Sequence, residues 1–237
     1  MSSSIWTRPA VSAEARPWAG SAWRMVEAQH VASAMKIVDG PAEQDLLEAL
    51  LDGSKPAQPT AAIALDYLLM TPFRYGTRPG GSRFRGESDA GVFYGAESVR
   101  TASAELGYWR WRFLRDAVDL DRLPPVAHTA FRVDVRTSAV DLRVAPFNRD
   151  AAAWQHPSDY GPTQAFARLA REAALGAIVY QSVRDPTPSW CLAVLTPLAF
   201  AQPKPHAATQ TWWLSVTQST VIWRRDQASQ TFATAGW

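Results

Sequence analysis

Between Thr71 and Arg115 the chain passes from a loop broken by Pro and Gly, through a short strand, into a long amphipathic helix, and any fold it adopts must accommodate that succession. The loop carries Arg74, Arg78, Arg83 and Arg85 around Pro79, Gly80 and Gly81. Pro removes a helix donor and Gly favours turns, so a flexible cationic loop is predicted. Gly91 to Gly95 reads as a short buried strand in which alternation sets Phe93 and Tyr94 on opposite faces. Ser98 is then a good N-cap, and Val99, Ala102, Leu106, Trp109 and Phe113 recur at helical steps, predicting a core-facing stripe. At about 100° per residue Glu105 falls roughly 80° from the centre of that stripe. A carboxylate half-buried there needs a cation or a ligand hydroxyl to bond.

The rest of the chain supplies many strand patterns and a few helices. Residues 1–20 are rich in Ser, Ala and Pro and read as an irregular arm, with residues 21–237 as a single domain. WRMVEAQ, from Trp23, reads as a first strand with Arg24 and Val26 on one face and Trp23 and Met25 on the other; Arg24 either enters a pocket or faces water. Helices are predicted over Pro41–Leu51, over Ala61–Met70 and over Gln164–Ala174. FRVDV alternates cleanly, with Phe131, Val133 and Val135 against Arg132 and Asp134, after a stop at Pro124. AVDLRVA repeats the pattern ahead of the long loop PFNRDAAAWQHPSDYGP, placed at the rim of a site, with His156 as a loop histidine. AIVY, CLAVL, TWWLSV and TVIWRR complete the strands. With no regular βαβ alternation and no Gly-x-Gly-x-x-Gly segment, the fold class is α+β, with mixed, mostly antiparallel sheets and flanking helices, not a dinucleotide-binding α/β domain.

A formal charge of +2 gives no bulk electrostatic case for nucleic acid or membrane, and no apolar run approaches a membrane span. The single cysteine, Cys191, lies in an apolar run, excludes an intramolecular disulfide and fits a reducing cytoplasm. No Cys/His cluster has zinc spacing, so no metal is expected. The 11 Trp are unusual and suit either a core or a partner interface.

An arginine loop, a strand tyrosine and a half-buried glutamate are each commonplace alone. Together they outline a pocket in which an arginine fork meets an anionic group while an aromatic ring and a carboxylate meet a ring and a sugar. Ser182, at the end of the AIVY strand, is either a ligand-contacting hydroxyl or a backbone cap, and Arg184 carries the same ambiguity.

The runs GSRFR, GVFYGAES and TASAEL, followed by AIVYQSVRDP and CLAVLTP, resemble the RES-domain proteins over about Trp23 to Pro197. That family is named for an arginine, a glutamate and a serine, which correspond here to Arg83, Glu105 and Ser182; Tyr94 corresponds to a tyrosine lining the family's NAD pocket. Phe84 stands where the family usually has Trp, and the Asn that often follows is missing. The resemblance implies an ADP-ribosyltransferase-like fold and an enzyme that consumes NAD as substrate. Glu105, Arg83 and Tyr94 would be catalytic, and Arg83, Tyr94, Ser182, Arg24 and Arg74 would hold NAD. It also implies a cytoplasmic toxin of a toxin–antitoxin pair, restrained by an antitoxin that blocks the pocket and through which any nucleic acid would be reached. The acceptor of the ADP-ribosyl group, whether water, phosphate or a protein, stays open, as does self-association. The residues alone leave a second reading, a non-enzymatic module binding single-stranded RNA through the arginines and Phe73, Tyr75 and Phe84.

Overall fold

The computed structural model describes residues 6–28, 56–75 and 80–237, with isolated positions between 40 and 50. The helix expected over Pro41–Leu51 and Arg78 of the arginine loop lie outside the described residues.

Among the described residues, eight strands form a single mixed sheet: β1 (Arg16–Glu27), β2 (Phe93–Ala96), β3 (Arg122–Asp141), β4 (Ala177–Gln181), β5 (Trp190–Val194), β6 (Gln210–Thr217), β7 (Thr220–Arg225) and β8 (Ala228–Ala233). Their order is β1-β2-β5-β4-β3-β6-β7-β8, and β1 also pairs with β3 along its whole length, from Arg16↔Ala139 to Glu27↔His128. The first five strands therefore close a ring, completed by the single Trp23↔Ala96 bridge, while β6 to β8 continue outward from the other end of β3. All pairings are antiparallel except β3 with β4. The expected α+β class is the one observed.

Two cores lie on the two faces of the ring. One gathers Phe93, Phe131, Val133, Val179 and Leu192 with Leu69 and Phe73 of α2 (Tyr67–Arg74). The other gathers Met25, Tyr180, Ala193, Leu214 and Trp223 with residues of α1 (Arg8–Ala13), α3 (Val99–Asp116) and α5 (Gly161–Glu172); the short α4 (Ala151–Trp154) adds Trp154. The alternation in β2 sends Phe93 into the first core and Tyr94 toward the second, as the sequence predicts.

Several expectations are corrected. Within the supposed irregular arm, Thr7 caps α1 and Pro sits in its first turn, a helix start read as a loop. Trp6 and Val11 are buried, with Trp6 Nε1 donating to Asp150 Oδ2 at 2.7 Å. Strand β1 begins at Arg16, because its partner β3 continues far enough to pair with Pro17 and Gly20, residues that look unlike a strand in isolation. FRVDV and the start of AVDLRVA belong to one long strand. Pro124 and Pro125 fall at a register shift between Leu123 and Val126, where a missing donor is tolerated. Helix α2 starts later than expected, after Asp66, whose carboxylate accepts from Leu68 N. A further strand, β8, follows the two expected near the C-terminus.

Helix α3 has the predicted Ser98 cap, its hydroxyl accepting from Thr101 N at 3.1 Å, but the buried stripe is rotated. Ala104, Gly107, Tyr108, Trp111 and Leu114 are buried, whereas Trp109 and Phe113 are 41% and 55% exposed. The bulky residues did not choose the face. The close approach of β7 at Gly107 did, since a Cβ there would stand 2.8 Å from Val221 Cγ1.

Gly91 is a second such constraint, since a Cβ there would stand 1.9 Å from the carbonyl oxygen of Pro72 in α2. A backbone atom cannot swing aside, so Gly91→Ala is expected to lose about 1–3 kcal/mol or more through forced separation of α2 from the loop before β2. Urea denaturation of the two proteins measures this.

Candidate active site

Glu105 projects from the middle of α3 toward the turn that follows β4. Its Oε1 accepts from Ser182 Oγ at 2.7 Å and from Val183 N at 3.3 Å, with the Cys191 thiol at 3.8 Å. Burial and the neighbouring Glu105 charge push the Cys191 thiol well above its ordinary value, so it remains a protonated donor. Ser182 Oγ in turn accepts from Arg184 N and Asp185 N, at 3.3 and 3.2 Å. The hydroxyl thus serves as both a turn cap and a brace on the carboxylate. Buried Asp185 accepts from Thr101 Oγ1 and Arg100 Nε, fastening the turn to the first residues of α3.

With Oε1 committed, Glu105 borders a cavity of about 270 Å³. Its charged lining is Arg24, Arg83 and Arg184 against Glu105 alone, an excess of positive charge that suits an anionic ligand. Trp23, Trp109, Tyr94, Tyr160 and Tyr180 give it flat aromatic walls. Ser182 lies behind Glu105, off the wall.

The arginines are held, not free. Arg83 is buried, donates from one guanidinium nitrogen to the carbonyls of Trp154 and His156 at 3.0 Å each, and lies 4.7 Å over the Tyr160 ring. The long loop before α5 thus shapes the site, as expected, although His156 contributes there a carbonyl and not its ring. Arg184 lies 3.4 Å over Tyr108 and donates to Pro157 O and to the Tyr160 hydroxyl. Arg24 donates to Tyr94 O at 3.0 Å and stacks over Phe93, and burial lowers its pKa to about 10, leaving it charged at neutral pH. Of the two readings open for Arg24, the pocket is where it lies.

Tyr94 is fixed at its tip. Its hydroxyl accepts from Phe84 N at 2.9 Å and shares a 2.7 Å bond with Ser82 Oγ. That clamp orders the turn after Gly80 and Gly81, both at positive φ, with Ser82 bridging Arg85. The expectation of a flexible cationic loop is corrected for its described part: Arg85 is buried and donates to the carbonyls of Asp89 and Tyr75. Arg74 is also corrected as a site residue. It ends α2 on the opposite face of the ring and donates to Pro56 O at 2.6 Å, away from the cavity. Among the described residues, Arg74, Arg83 and Arg85 are each bonded to main-chain carbonyls and do not form the open basic stripe that a single strand of RNA would follow.

The structure therefore brings Arg24, Arg83, Tyr94, Glu105 and Ser182 to one place and leaves Arg74 out. Tyr180, Tyr160 and Trp109 went unrecognised in the sequence. Tyr180 carried a signal, since it lies near the end of the predicted AIVY strand, two residues before Ser182, where alternation sets it on the side toward which Ser182 continues.

The RES domain family model matches residues 58–217, about two thirds of the chain. This chain belongs to the RES-domain family. No curated protein matches it. Among solved structures, a chain of the M. tuberculosis MbcT–MbcA toxin–antitoxin complex is similar in fold, with a TM-score of 0.50 and 13% sequence identity over 95% of this chain and 91% of that one. The RES match includes Arg83, Tyr94, Glu105 and Ser182; Arg24 and residues 218–237 lie outside it.

Tyr94→Phe would strip the Phe84 N–H of its acceptor, at a cost of about 1–3 kcal/mol if nothing replaces it. Burial raises the Tyr94 pKa, so the folded state holds its proton more tightly than the unfolded chain. The sign follows: the contribution is fully present below the unfolded value of about 10 and is lost as pH rises from there through the raised folded value. Tyr94→Phe should therefore be less stable than wild type at pH 7 and lose less on going to pH 11, as read by urea denaturation at both pH values.

Proposed function

We propose that this RES protein is an NAD-consuming toxin of a type II toxin–antitoxin system, an ADP-ribosyltransferase or NAD glycohydrolase or phosphorylase. Cleavage of the nicotinamide–ribose bond lets nicotinamide leave as the neutral ring with the bonding electron pair, and positive charge grows on the ribose C1′ and ring oxygen. The acceptor oxygen of water, phosphate or a protein side chain then bonds to C1′ and loses its proton to solvent.

The observation that carries this reading is the one-sided tethering of Glu105. With Oε1 held by Ser182 and Val183, Oε2 has no hydrogen bond among the described residues and is left to meet ribose hydroxyls. A carboxylate fixed beside developing oxocarbenium charge needs no reorganisation during reaction, which is the main source of electrostatic catalysis. Arg83, Arg24 and Arg184 would meet the pyrophosphate. Tyr94 and the aromatic walls would take the nicotinamide and ribose. No metal is needed in this scheme.

Glu105→Gln keeps an acceptor for Ser182 and Val183 but removes the negative charge, so the fold should persist while turnover falls by about 10²–10³-fold. Mass spectrometry of NAD incubated with each protein measures the loss, and separates free ADP-ribose, its phosphorylated form and a mass added to protein. Undiminished turnover in the folded variant would remove Glu105 from the mechanism.

A RES enzyme of this kind would harm its own cell, and the MbcT–MbcA neighbour comes from a toxin–antitoxin complex. We expect an antitoxin encoded beside this chain to cover the cavity mouth at Arg83, Trp109 and Tyr160. Growth of a bacterial host should stop on expression of the chain alone and resume when the neighbouring gene is co-expressed. Normal growth with soluble wild-type protein would count against the toxin reading.

A further inference from the structure

Beyond the RES match, residues 218–237 cover the back of α3 and hold it by indole and main-chain bonds. Trp223 Nε1 donates to Ser103 O at 3.1 Å, and Trp111 Nε1 donates to Gln218 O at 2.9 Å. Trp237 differs from both in what it grips. Its Nε1 donates at 2.9 Å to the carbonyl of Arg184, in the turn whose Ser182 hydroxyl and Val183 N–H hold Glu105. Its ring is seated among Tyr108, Trp111 and Phe232, with centroid separations of 5.9, 5.9 and 6.1 Å. Tyr108 is the ring on which the Arg184 guanidinium lies.

We infer that Trp237 is a positioning residue for the active site, clamping the 182–185 turn against α3 so that both Glu105 and Arg184 keep their places. The inference rests on the proposed NAD chemistry only for its catalytic consequence. The physical case is geometric. Three groups of the turn act on the site: the Ser182 hydroxyl and the Val183 amide on Glu105, and the Arg184 side chain on the cavity. On the other side of the turn, the Arg184 carbonyl is fixed by a residue that does not itself line the cavity. The Trp237 indole joins that carbonyl to the aromatic cluster on α3, so the turn and the helix that carries Glu105 are held to one another from behind. An error of a few tenths of an ångström in the carboxylate affects the transition state more than ground-state binding, where the cavity walls share the contacts.

Trp237→Phe keeps an aromatic ring in the cluster and deletes the N–H. The expected result is a fall in kcat of about tenfold with KM within about twofold of wild type, and no recovery of kcat on lowering the temperature. Trp223→Phe is the control, since it also deletes an indole bond to α3 but does not touch the turn; it should lower Tm while leaving kcat within about twofold. A kcat for Trp237→Phe equal to wild type, or a loss matched by Trp223→Phe at equal Tm, would overturn the inference and leave Trp237 with packing alone. A readout independent of activity separates this from failure of the NAD reading: hydrogen exchange at the Val183, Arg184 and Asp185 amides. Exchange there should quicken about tenfold or more in Trp237→Phe and stay unchanged in Trp223→Phe. If wild type does not consume NAD, the exchange comparison alone decides the clamp, and equal exchange in wild type and Trp237→Phe rejects it.

Discussion

Glu105 Oε1 and the turn that donates to it are the contact through which most of the architecture reaches the cavity. A carboxylate between a helix and a strand end, half out of water, is unfavourable without donors, and the Ser182 hydroxyl and the Val183 amide supply them at 2.7 and 3.3 Å. Supplying them requires β4 to end where it does, Asp185 to bind back to Thr101 and Arg100, and α3 to begin after the Ser98 cap. Registers of β4 and β5, from Ala177↔Val194 to Gln181↔Trp190, set the first of these and place Cys191 beneath the same oxygen. The placing of Glu105 is therefore a property of the end of β4, the turn that follows it and one helix together.

The arginines follow a related rule. A guanidinium has five donors and no acceptor, and in Arg24, Arg83 and Arg184 some of these are spent on main-chain carbonyls around the cavity. Such bonds fix position without neutralising charge, since a carbonyl is a dipole and not a counter-ion. Three arginines can then face a cavity that contains a single carboxylate, and the surplus remains for an anionic ligand. Had these side chains been paired with Asp or Glu, as Arg168 is with Asp89 at 3.1 Å, the geometry could be as firm but the field would be lost.

How much of this was legible in the sequence depended on how local the cause was. The Ser98 cap, the Phe93/Tyr94 alternation and the clean two-faced pattern of Phe131, Val133 and Val135 are decided within a few residues, and all three are present in the structure. The half-buried placement of Glu105 was also read correctly, but from a helix stripe that is itself rotated: Trp109 and Phe113 are large and apolar yet exposed, because β7 closes on Gly107 from the other side. Strand β1 was shortened for the same reason, since only its pairing with β3 makes Pro17 and Gly20 part of a strand. Arg74 and Arg83 sit in one arginine-rich stretch, which is all the sequence offers to join them. The intervening chain carries them to opposite faces of the ring, and periodicity within one segment contains no information about that.

Closure of the five-strand ring explains why separation in sequence is no guide to membership in the site. Strand β2 is inserted between β1 and β5, joined to β1 by one bridge at Trp23↔Ala96 and to β5 by four register positions from Phe93↔Val194 to Ala96↔Cys191. Trp23 and Met25 of β1 and Tyr94 and Ala96 of β2, on either side of that bridge, all line the cavity. The strands that share the ring's single bridge thus also line the site, and the Tyr94 hydroxyl, bonded to Phe84 N and Ser82 Oγ, ties β2 to the arginine-bearing turn at the same place.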